Sequence, residues 1–256
     1  MQHLIRSTAI GATFTLIVVG SALARPNVVQ VGNLVVKDNG GIAPSALPKH
    51  KQIPVKAYLN ASVSTVDNSH PPAAREVVID VDKNIQVNAR GLPTCKGGQL
   101  ESRDTKGARR ACGKAIVGTG SGQVEIAFPE QKPITVTSPL TMFNGGVAGG
   151  KTTIFVHAFI TVPVPAAIVT TVKITPIRRG PYGIHTVSRI PAIAGGAGSV
   201  TRFRLKIDRK FAYKGKKRSY LTASCPAGRH LTKGRVRFDG GTLLKFTHPL
   251  PCTPKG

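Results

Sequence analysis

The glycine-rich stretch 145–152 has the spacing that comes nearest to a known chemical motif. Its sequence, GGVAGGKT, fits the P-loop pattern G-x-x-x-x-G-K-[ST], in which backbone N–H groups and a following helix N-terminus hold phosphates. The residues that follow, Thr153 to Val156, are β-branched or aromatic, which favours a strand over a helix. No apolar strand ending in a metal-binding Asp accompanies the motif. The stretch is therefore predicted to be the loop of a β-hairpin rather than a nucleotide site.

The histidine and serine residues carry no catalytic signature. His157 lies inside an apolar strand and is predicted to be a core residue. Ser121 lies in GTGSG, which lacks the G-x-S-x-G order of a nucleophile elbow, and is predicted to be a turn residue. No H-E-x-x-H sequence occurs. We therefore assign no catalytic residue, no metal ligand and no cofactor.

One pair of carboxylates needs a separate interpretation. Asp80 and Asp82 stand two residues apart on one face of a strand and can form a carboxylate pair or bind Ca²⁺. The favoured interpretation is a solvated face, or cross-strand partners for Arg204 and Lys206.

The N-terminal residues Met1 to Ala24 have the pattern of a secretory signal. Basic Arg6 precedes an apolar run from Ala9 to Val19, and Ala22-Leu23-Ala24 supplies a small-x-small cleavage site. The alternative, a spanning helix, needs about 20 apolar residues, and this run is shorter. The sequence predicts export and cleavage after Ala24, with a secreted or cell-envelope location.

Four cysteines in an exported chain most simply form two disulfides, for which three connectivities exist. The local pairings, Cys95 with Cys112 and Cys225 with Cys252, are favoured, and a pairing between the two halves stays open. No C-x-x-C or His-rich spacing surrounds the cysteines, so a metal site is disfavoured.

Positive charge dominates the composition, with 36 Lys and Arg against 11 Asp and Glu and a net charge of +25. The charge is uneven: residues 25–131 carry 14 basic and 9 acidic residues, and residues 132–256 carry 21 and 2. Such a field attracts polyanions, which outside a cell include wall polymers, phospholipid head groups, released nucleic acid and acidic polysaccharides. A merely solubilising role for the charge is the alternative.

Period-2 alternation of apolar and polar residues predicts β-strands in an antiparallel sheet. The stretch from Glu76 to Val87 alternates clearly, and the stretch from Thr201 to Phe211 alternates apolar residues with Arg and Lys. Gly and Pro residues separate these and further β-branched runs. A short helix is predicted from Asp104, its N-cap, to Cys112, with Ala108 and Cys112 on one side.

Three motifs together resemble a group of functionally uncharacterised secreted proteins of high-GC Gram-positive bacteria. They are G-L-P-x-C at Gly91 to Cys95, C-x-x-A-x-V-G-x-G at Cys112 to Gly120, and the sequence SYLTASCP that contains Cys225. The resemblance spans roughly residues 76–252 and implies export and an all-β body. It implies no activity and no site residues.

The predicted fold is all-β, an immunoglobulin-like β-sandwich in two modules. A signal peptide occupies residues 1–24, an N-terminal module 25–145, and a basic C-terminal module 146–256. The predicted function is that of a non-catalytic secreted or envelope protein that binds anionic surfaces or polymers, without nucleic-acid specificity. The alternatives are a secreted hydrolase whose site assembles only in three dimensions and a purely structural or adhesive envelope module.

The predicted polyanion-binding residues lie on the strand from Thr201 to Phe211 and on the turn that follows it, where side chains at alternate positions share one face. Binding of this kind to a polyanion weakens steeply as salt rises. The eight residues are Arg202, Arg204, Lys206, Lys210, Lys214, Lys216, Lys217 and Arg218.

Overall fold

A computed structural model describes residues 26–256, so the predicted signal peptide lies outside the described residues. The described chain is built almost entirely of strands, with one α-helix, α1 (Thr105–Cys112), and four short 3₁₀ turns. The strands are β1 (Asn27–Val31), β2 (Leu34–Ala43), β3 (Ala46–Pro48), β4 (Ile53–Pro54), β5 (Lys56–Thr65), β6 (Ala74–Asp82), β7 (Ile85–Val87), β8 (Ile116–Ile126), β9 (Ile134–Ala148), β10 (Lys151–Ile160), β11 (Ala166–Arg179), β12 (Tyr182–Arg189), β13 (Gly198–Ile207), β14 (Lys210–Tyr213), β15 (Lys216–Ser219), β16 (Leu221–Ala223), β17 (Arg229–Phe238), β18 (Leu243–Pro251) and β19 (Thr253–Lys255).

Twelve of these strands form one antiparallel sheet in the order β1-β2-β5-β13-β8-β9-β10-β11-β12-β6-β17-β18. Strands from the two halves of the chain interleave in it: β13 lies between β5 and β8, and β6 lies between β12 and β17. These strands therefore pair with partners distant in sequence, and one sheet organises most of the described chain.

The sheet curls until its two edges meet. Cα atoms of β18 come within 8 Å of those of β1 and β2 at this seam. Across it, Nδ1 of His248 on β18 lies 2.7 Å from Oδ1 of Asp38 on β2, and Asp38 also accepts a hydrogen bond from Asn27 on β1. Both members of the pair are largely buried, so this hydrogen bond joins the edges from the inside.

Apolar side chains fill the interior of the curled sheet. One cluster joins Val63 of β5 to Val236 of β17 and Leu244 of β18, and so spans the seam on the inside of the sheet. A larger cluster joins Met142, Ile154, Ile174 and Ile184 of the central strands to Tyr220 and Leu221. The low aromatic content is consistent with this core, which is mostly aliphatic.

The segment between β7 and β8 forms an outer layer over β9 and β10. Helix α1 begins at Asp104, whose carboxylate accepts from the Gly107 N–H, and buries Ala108 and Cys112 as predicted. These residues pack with Phe143 on the sheet face that points away from the central core. The fully buried Asn144 side chain donates to the carbonyls of Leu92 and Pro93 and so fixes the loop that leads to Cys95.

The two disulfides join Cys95 to Cys112 and Cys225 to Cys252, so the local pairings are confirmed. The first closes the outer layer, and the second ties the loop after β16 to the end of β18. Among residues 26–256, no helix is long and apolar enough to cross a membrane.

The prediction of an all-β fold is confirmed, and stretch 145–152 is the β9–β10 hairpin with Gly149 and Gly150 in the left-handed region of its turn. The immunoglobulin-like sandwich and the division into two modules are not confirmed. Residues 145–150 lie in the middle of a continuous sheet, with strands of both chain halves on either side.

Removing either disulfide is expected to lower the melting temperature, because each bond restricts a loop of the unfolded chain. The separations of 17 and 27 residues correspond to about 3 kcal/mol each, or about 6–12 °C for a chain of this size. The variants are Cys95→Ser/Cys112→Ser and Cys225→Ser/Cys252→Ser, followed by calorimetry. Melting unchanged in either double variant would contradict the assignment of that bond as stabilising.

Candidate functional site

The outer face of β13 presents three cations in a row, and we call Arg202, Arg204 and Lys206 the β13 face. The alternation of the strand is as predicted: these side chains are exposed, while Leu205 and Ile207 pack against the main core. Strand β8 lies unusually close on one side, since a Cβ on Gly120 would collide with the carbonyl oxygen of Arg204. Glycine at this position lets β13 remain fully paired between β5 and β8.

Small polar side chains surround the β13 face. Arg204 has Asn60 and Ser121 as its cross-strand neighbours, and Lys206 has Tyr58 and Thr119. The prediction of Ser121 as a turn residue is therefore wrong, since it lies within β8. Lys37 extends the row of Arg202 by one more strand, through Ser62. The face is therefore open and cationic, with mostly small residues between its charges.

Asp208 is the carboxylate at the end of the β13 face. It lies 2.9 Å from Nζ of Lys56 and 3.7 Å from Nζ of Lys206. All three side chains are substantially exposed, so these pairs are weak and screened. Lys206 is partly compensated by this carboxylate, whereas Arg202 and Arg204 form no ion pair among the described residues.

Strands β14 and β15 form a separate two-stranded hairpin directly after β13. Its two-residue turn places Lys214 (φ 50°) and Gly215 (φ 70°) in the left-handed region, which is the geometry of a type I′ turn. Gly91 lies directly beneath the ring of Tyr213, where a Cβ would collide with that ring. The hairpin therefore packs against the loop that follows β7.

A shallow pocket of about 520 Å³ lies at the base of this hairpin, and we call it the hairpin pocket. Three of its six lining residues are cations, and the others are a proline, a phenylalanine and a serine. The lining residues are Lys210, Lys217, Arg218, Pro54, Phe211 and Ser219. None of the three cations forms a salt bridge within residues 26–256. Lys210 and Lys217 share one face of the hairpin and Arg218 lies on the other, so an anionic group at the pocket lies in a field of positive charge from both faces.

The structure divides the eight predicted residues into two groups. Arg202, Arg204 and Lys206 form the β13 face, and the other five belong to the hairpin. The groups are close, since Lys206 and Lys210 are four residues apart and their Cα atoms are separated by at most about 14 Å. Arg218 and Lys214 also lie 5.3 Å and 5.8 Å from the centre of the Tyr213 ring.

Comparison with other proteins adds no assignment. No family model, no curated protein and no solved structure matches this chain. The geometry of the described residues is therefore the basis for a functional proposal. Within those residues, no group of three or more His, Cys, Asp or Glu side chains is placed to hold a metal ion.

The interpretation of Asp80 and Asp82 as a solvated face is wrong. The prediction that they pair with Arg204 and Lys206 is also wrong. Both carboxylates are buried, because β6 is an inner strand of the sheet and not a neighbour of β13. Asp80 lies 2.6 Å from Nδ1 of His185 and 3.6 Å from Nζ of Lys233. Asp82 accepts hydrogen bonds from the N–H groups of Asn84 and Leu231.

A second cationic surface on the outer side of β17 was not predicted from the sequence. The sequence does contain the pattern that predicts it, because Lys233, Arg235 and Arg237 alternate with Gly234 and Val236. The cations of β13 alternate with apolar residues in the same way. Neighbouring strands add cations in the same cross-strand rows. The six residues of this surface, the β17 face, are Lys173, Arg189, Lys233, Arg235, Arg237 and Lys245.

Three residues from distant segments form a serine–histidine–carboxylate arrangement that the sequence did not reveal. Nδ1 of His70 lies 2.8 Å from Oε1 of Glu125, and Nε2 of His70 lies 3.1 Å from Oγ of Ser199. Ser199 and Glu125 are direct cross-strand partners on β13 and β8. Each ring nitrogen thus faces the group that it faces in a hydrolase triad.

The burial of Ser199 determines what this arrangement can do. The residue is only 2% exposed, whereas a nucleophile must reach the substrate. His70 borders a shallow surface pocket, and Ser199 does not. The hydrogen bonds of His70 to Glu125 and Ser199 therefore hold the segment before β6 against the sheet.

His157 is a buried core residue, as predicted, but it is not fully satisfied as expected, because its Nδ1 has no hydrogen-bond partner among residues 26–256. The ring is completely buried beneath the outer layer, and Nε2 donates to the carbonyl oxygen of Arg103 at 2.8 Å. Burial holds the pKa of His157 below its ordinary value of 6.5, against the smaller opposing effects of the Arg103 carbonyl and of Asp104. The folded protein thus favours the neutral ring.

Acidification is expected to destabilise the wild-type protein through His157. The pKa of His157 is lower in the folded state than in the unfolded chain, so His157 does not reduce the free energy of unfolding above about pH 6.5. Below that pH the unfolded chain takes up the proton first, and the free energy of unfolding falls. His157→Gln keeps a donor for the Arg103 carbonyl and removes the titration. Melting temperatures measured from about pH 7.5 to about pH 5 should fall more steeply for the wild type. Parallel curves for the two proteins would contradict this account.

Native Ser199 is expected not to react with a fluorophosphonate probe, because its hydroxyl is inaccessible. His70→Ala removes the partner of that hydroxyl and should lower stability by about 1–3 kcal/mol in urea unfolding. Intact-mass analysis after probe treatment checks the first result. Stoichiometric labelling at Ser199 that disappears in His70→Ala would instead identify a hydrolase.

Proposed function

We propose that this protein is exported and binds a linear anionic polymer of the cell envelope through the β13 face and the hairpin pocket, without catalysing a reaction on it. The observation that carries this proposal is the pocket with Lys210, Lys217 and Arg218 in its lining, next to the exposed cations of β13. These charges belong to one continuous segment of chain, and the hairpin follows the end of β13 at which Lys206 lies.

The shape of the surface supports a polymer rather than a small ligand. The hairpin pocket is shallow, and the β13 face is an open row of charges about 7 Å apart at alternate positions of a strand. A chain with regularly spaced anions can bind several such charges at once. Each charge that is neutralised releases counterions, which makes binding favourable at low salt.

The chemistry of the surface favours an envelope polymer over a membrane or a nucleic acid. Tyr58 lies beside Lys206 on the β13 face, whereas the exposed aliphatic residues that could insert into lipid, such as Val66 and Val164, lie outside both groups of cations. Tyr213 has one ring face against Gly91, which limits base stacking at the hairpin. Single-stranded nucleic acid is expected to bind through its charge alone, without sequence selectivity.

Export is supported by the signal pattern at residues 1–24 and by the two disulfides, which are typical of proteins in oxidising compartments. The anionic polymers available there are wall polymers and acidic polysaccharides. We use heparin as the probe for this class.

Neutralising the hairpin should weaken heparin binding and reduce its dependence on salt. The variant carries Lys214→Gln, Lys216→Gln, Lys217→Gln and Arg218→Gln, which remove the charges and keep most of the aliphatic stems. Each cation that no longer pairs with a heparin anion should reduce the magnitude of the slope of log K against log salt by about one. Fluorescence anisotropy with labelled heparin, from roughly 20 to 300 mM NaCl, measures both the affinity and the slope.

The matched control removes four exposed lysines that lie outside both groups of cations, with Lys83, Lys96, Lys132 and Lys151 all replaced by Gln. This control should retain most of the wild-type slope. Equal reductions in both variants would show that the net charge acts without a local site. A wild-type protein that binds no heparin at low salt would contradict the proposal altogether.

A further inference from the structure

Two cationic surfaces lie on opposite sides of the curled sheet. Strand β13 is fourth and β17 eleventh in the order of twelve, so seven steps separate them one way and five the other, across the seam. The β13 face and the hairpin pocket together form one surface, which we call the β13 side. The β17 face forms the other.

Both surfaces lie on the outside of the same curled sheet. Val63 of β5, the strand beside β13, packs in the same interior cluster as Val236 of β17. Arg235 and Arg237 flank Val236 and are exposed on the other side of their strand. Because successive side chains of a strand point to opposite faces, inward packing of the apolar residues directs the cations of both strands outward.

One straight polymer segment cannot lie along both surfaces, because β13 and β17 are five strands apart by the shorter way around the curled sheet. Neighbouring strands lie about 4.8 Å apart, so this way around the sheet is roughly 24 Å. The surfaces are thus separated by more than the screening length of about 8 Å at physiological salt.

The β17 face keeps a net positive charge despite the carboxylates within it. Glu76 and Asp80 occupy the cross-strand rows of β6 between cations of β12 and β17. Lys233 lies 3.6 Å from Asp80, and Arg235 lies 4.0 Å from Glu76. Arg189, Arg237 and Lys245 are exposed and form no salt bridge among residues 26–256. Six cations against two carboxylates leave an excess of four.

We propose that the protein bridges two segments of anionic polymer, one held by the β13 side and the other by the β17 face. The inference rests on the proposed function and extends it, since the protein then joins polymer chains and does not merely coat them. The partner on each surface is the same class of molecule, a linear polymer with anions at regular spacing. Charge complementarity on both sides supports this choice.

A capture experiment tests the bridge directly. Biotinylated heparin oligosaccharide is immobilised at low density, the protein is bound to it at low salt, and fluorescent heparin is then passed over the surface. Wild-type protein should retain the fluorescent heparin, because one surface holds the immobilised chain and the other stays open. Light scattering of the protein without heparin should give the mass of one chain.

Two variants with equal reductions in charge test the two surfaces separately. One replaces Arg202, Arg204, Lys217 and Arg218 with Gln, and the other replaces Arg189, Arg235, Arg237 and Lys245 with Gln. Each should still bind the immobilised heparin through its intact surface. Each should retain at least about tenfold less fluorescent heparin than the wild type, because the substitutions remove four cations from one of the two surfaces.

The outcomes separate the bridge from the binding itself. Wild-type protein that binds the immobilised chain and retains no fluorescent heparin would overturn the bridge and leave the proposed function standing. No binding at low salt would overturn both. A variant that retains fluorescent heparin as well as the wild type does would show that its surface is not used, and would overturn the bridge. A dimer in light scattering would assign the bridge to two copies and overturn the inference.

Discussion

The strands of the twelve-stranded sheet turn one face inward, because the sheet curls until its edges meet around shared apolar clusters. This constraint directs the charged residues outward wherever a strand alternates. Strand β13 buries Leu205 and Ile207 and exposes Arg204 and Lys206, and β17 follows the same rule around Val236. The cationic surfaces are thus a consequence of how the core is closed.

The interleaving of the two chain halves then distributes the charge. Most carboxylates belong to residues 25–131 and most cations to residues 132–256, so separate modules would have had very different fields. In the folded chain, β6 places Glu76 and Asp80 between cations of β12 and β17, and Asp208 compensates Lys56 and Lys206. The few carboxylates thereby relieve repulsion where strands pair, and the remaining cations stay available on the outside.

Local features were predictable from the sequence because their causes are local. The alternation of β13, the Asp104 cap, the hairpin at Gly149 and Gly150, and the two disulfides all depend on neighbouring residues or short separations. The order of strands depends on pairings across more than a hundred residues, such as β6 with β17, and no short pattern encodes it. That order buries Asp80 beside His185 and Lys233 and brings Ser199 to His70, so neither feature could be predicted. The β17 face is a further example. The alternation of cations along β17 could be predicted from the sequence, whereas the cations on its neighbouring strands could not.

Mapping of the heparin-binding surface by backbone amide NMR tests the central claim most directly. A heparin oligosaccharide is titrated into ¹⁵N-labelled protein at low salt, and shifts are followed for every assigned amide. The proposed surfaces predict that the largest changes fall on β13, on the β14–β15 hairpin and on β17, and that they diminish together as salt is raised. Changes spread evenly over all lysine- and arginine-bearing turns, Lys83 and Lys151 included, would contradict a local site and leave the positive charge as a property of the whole surface.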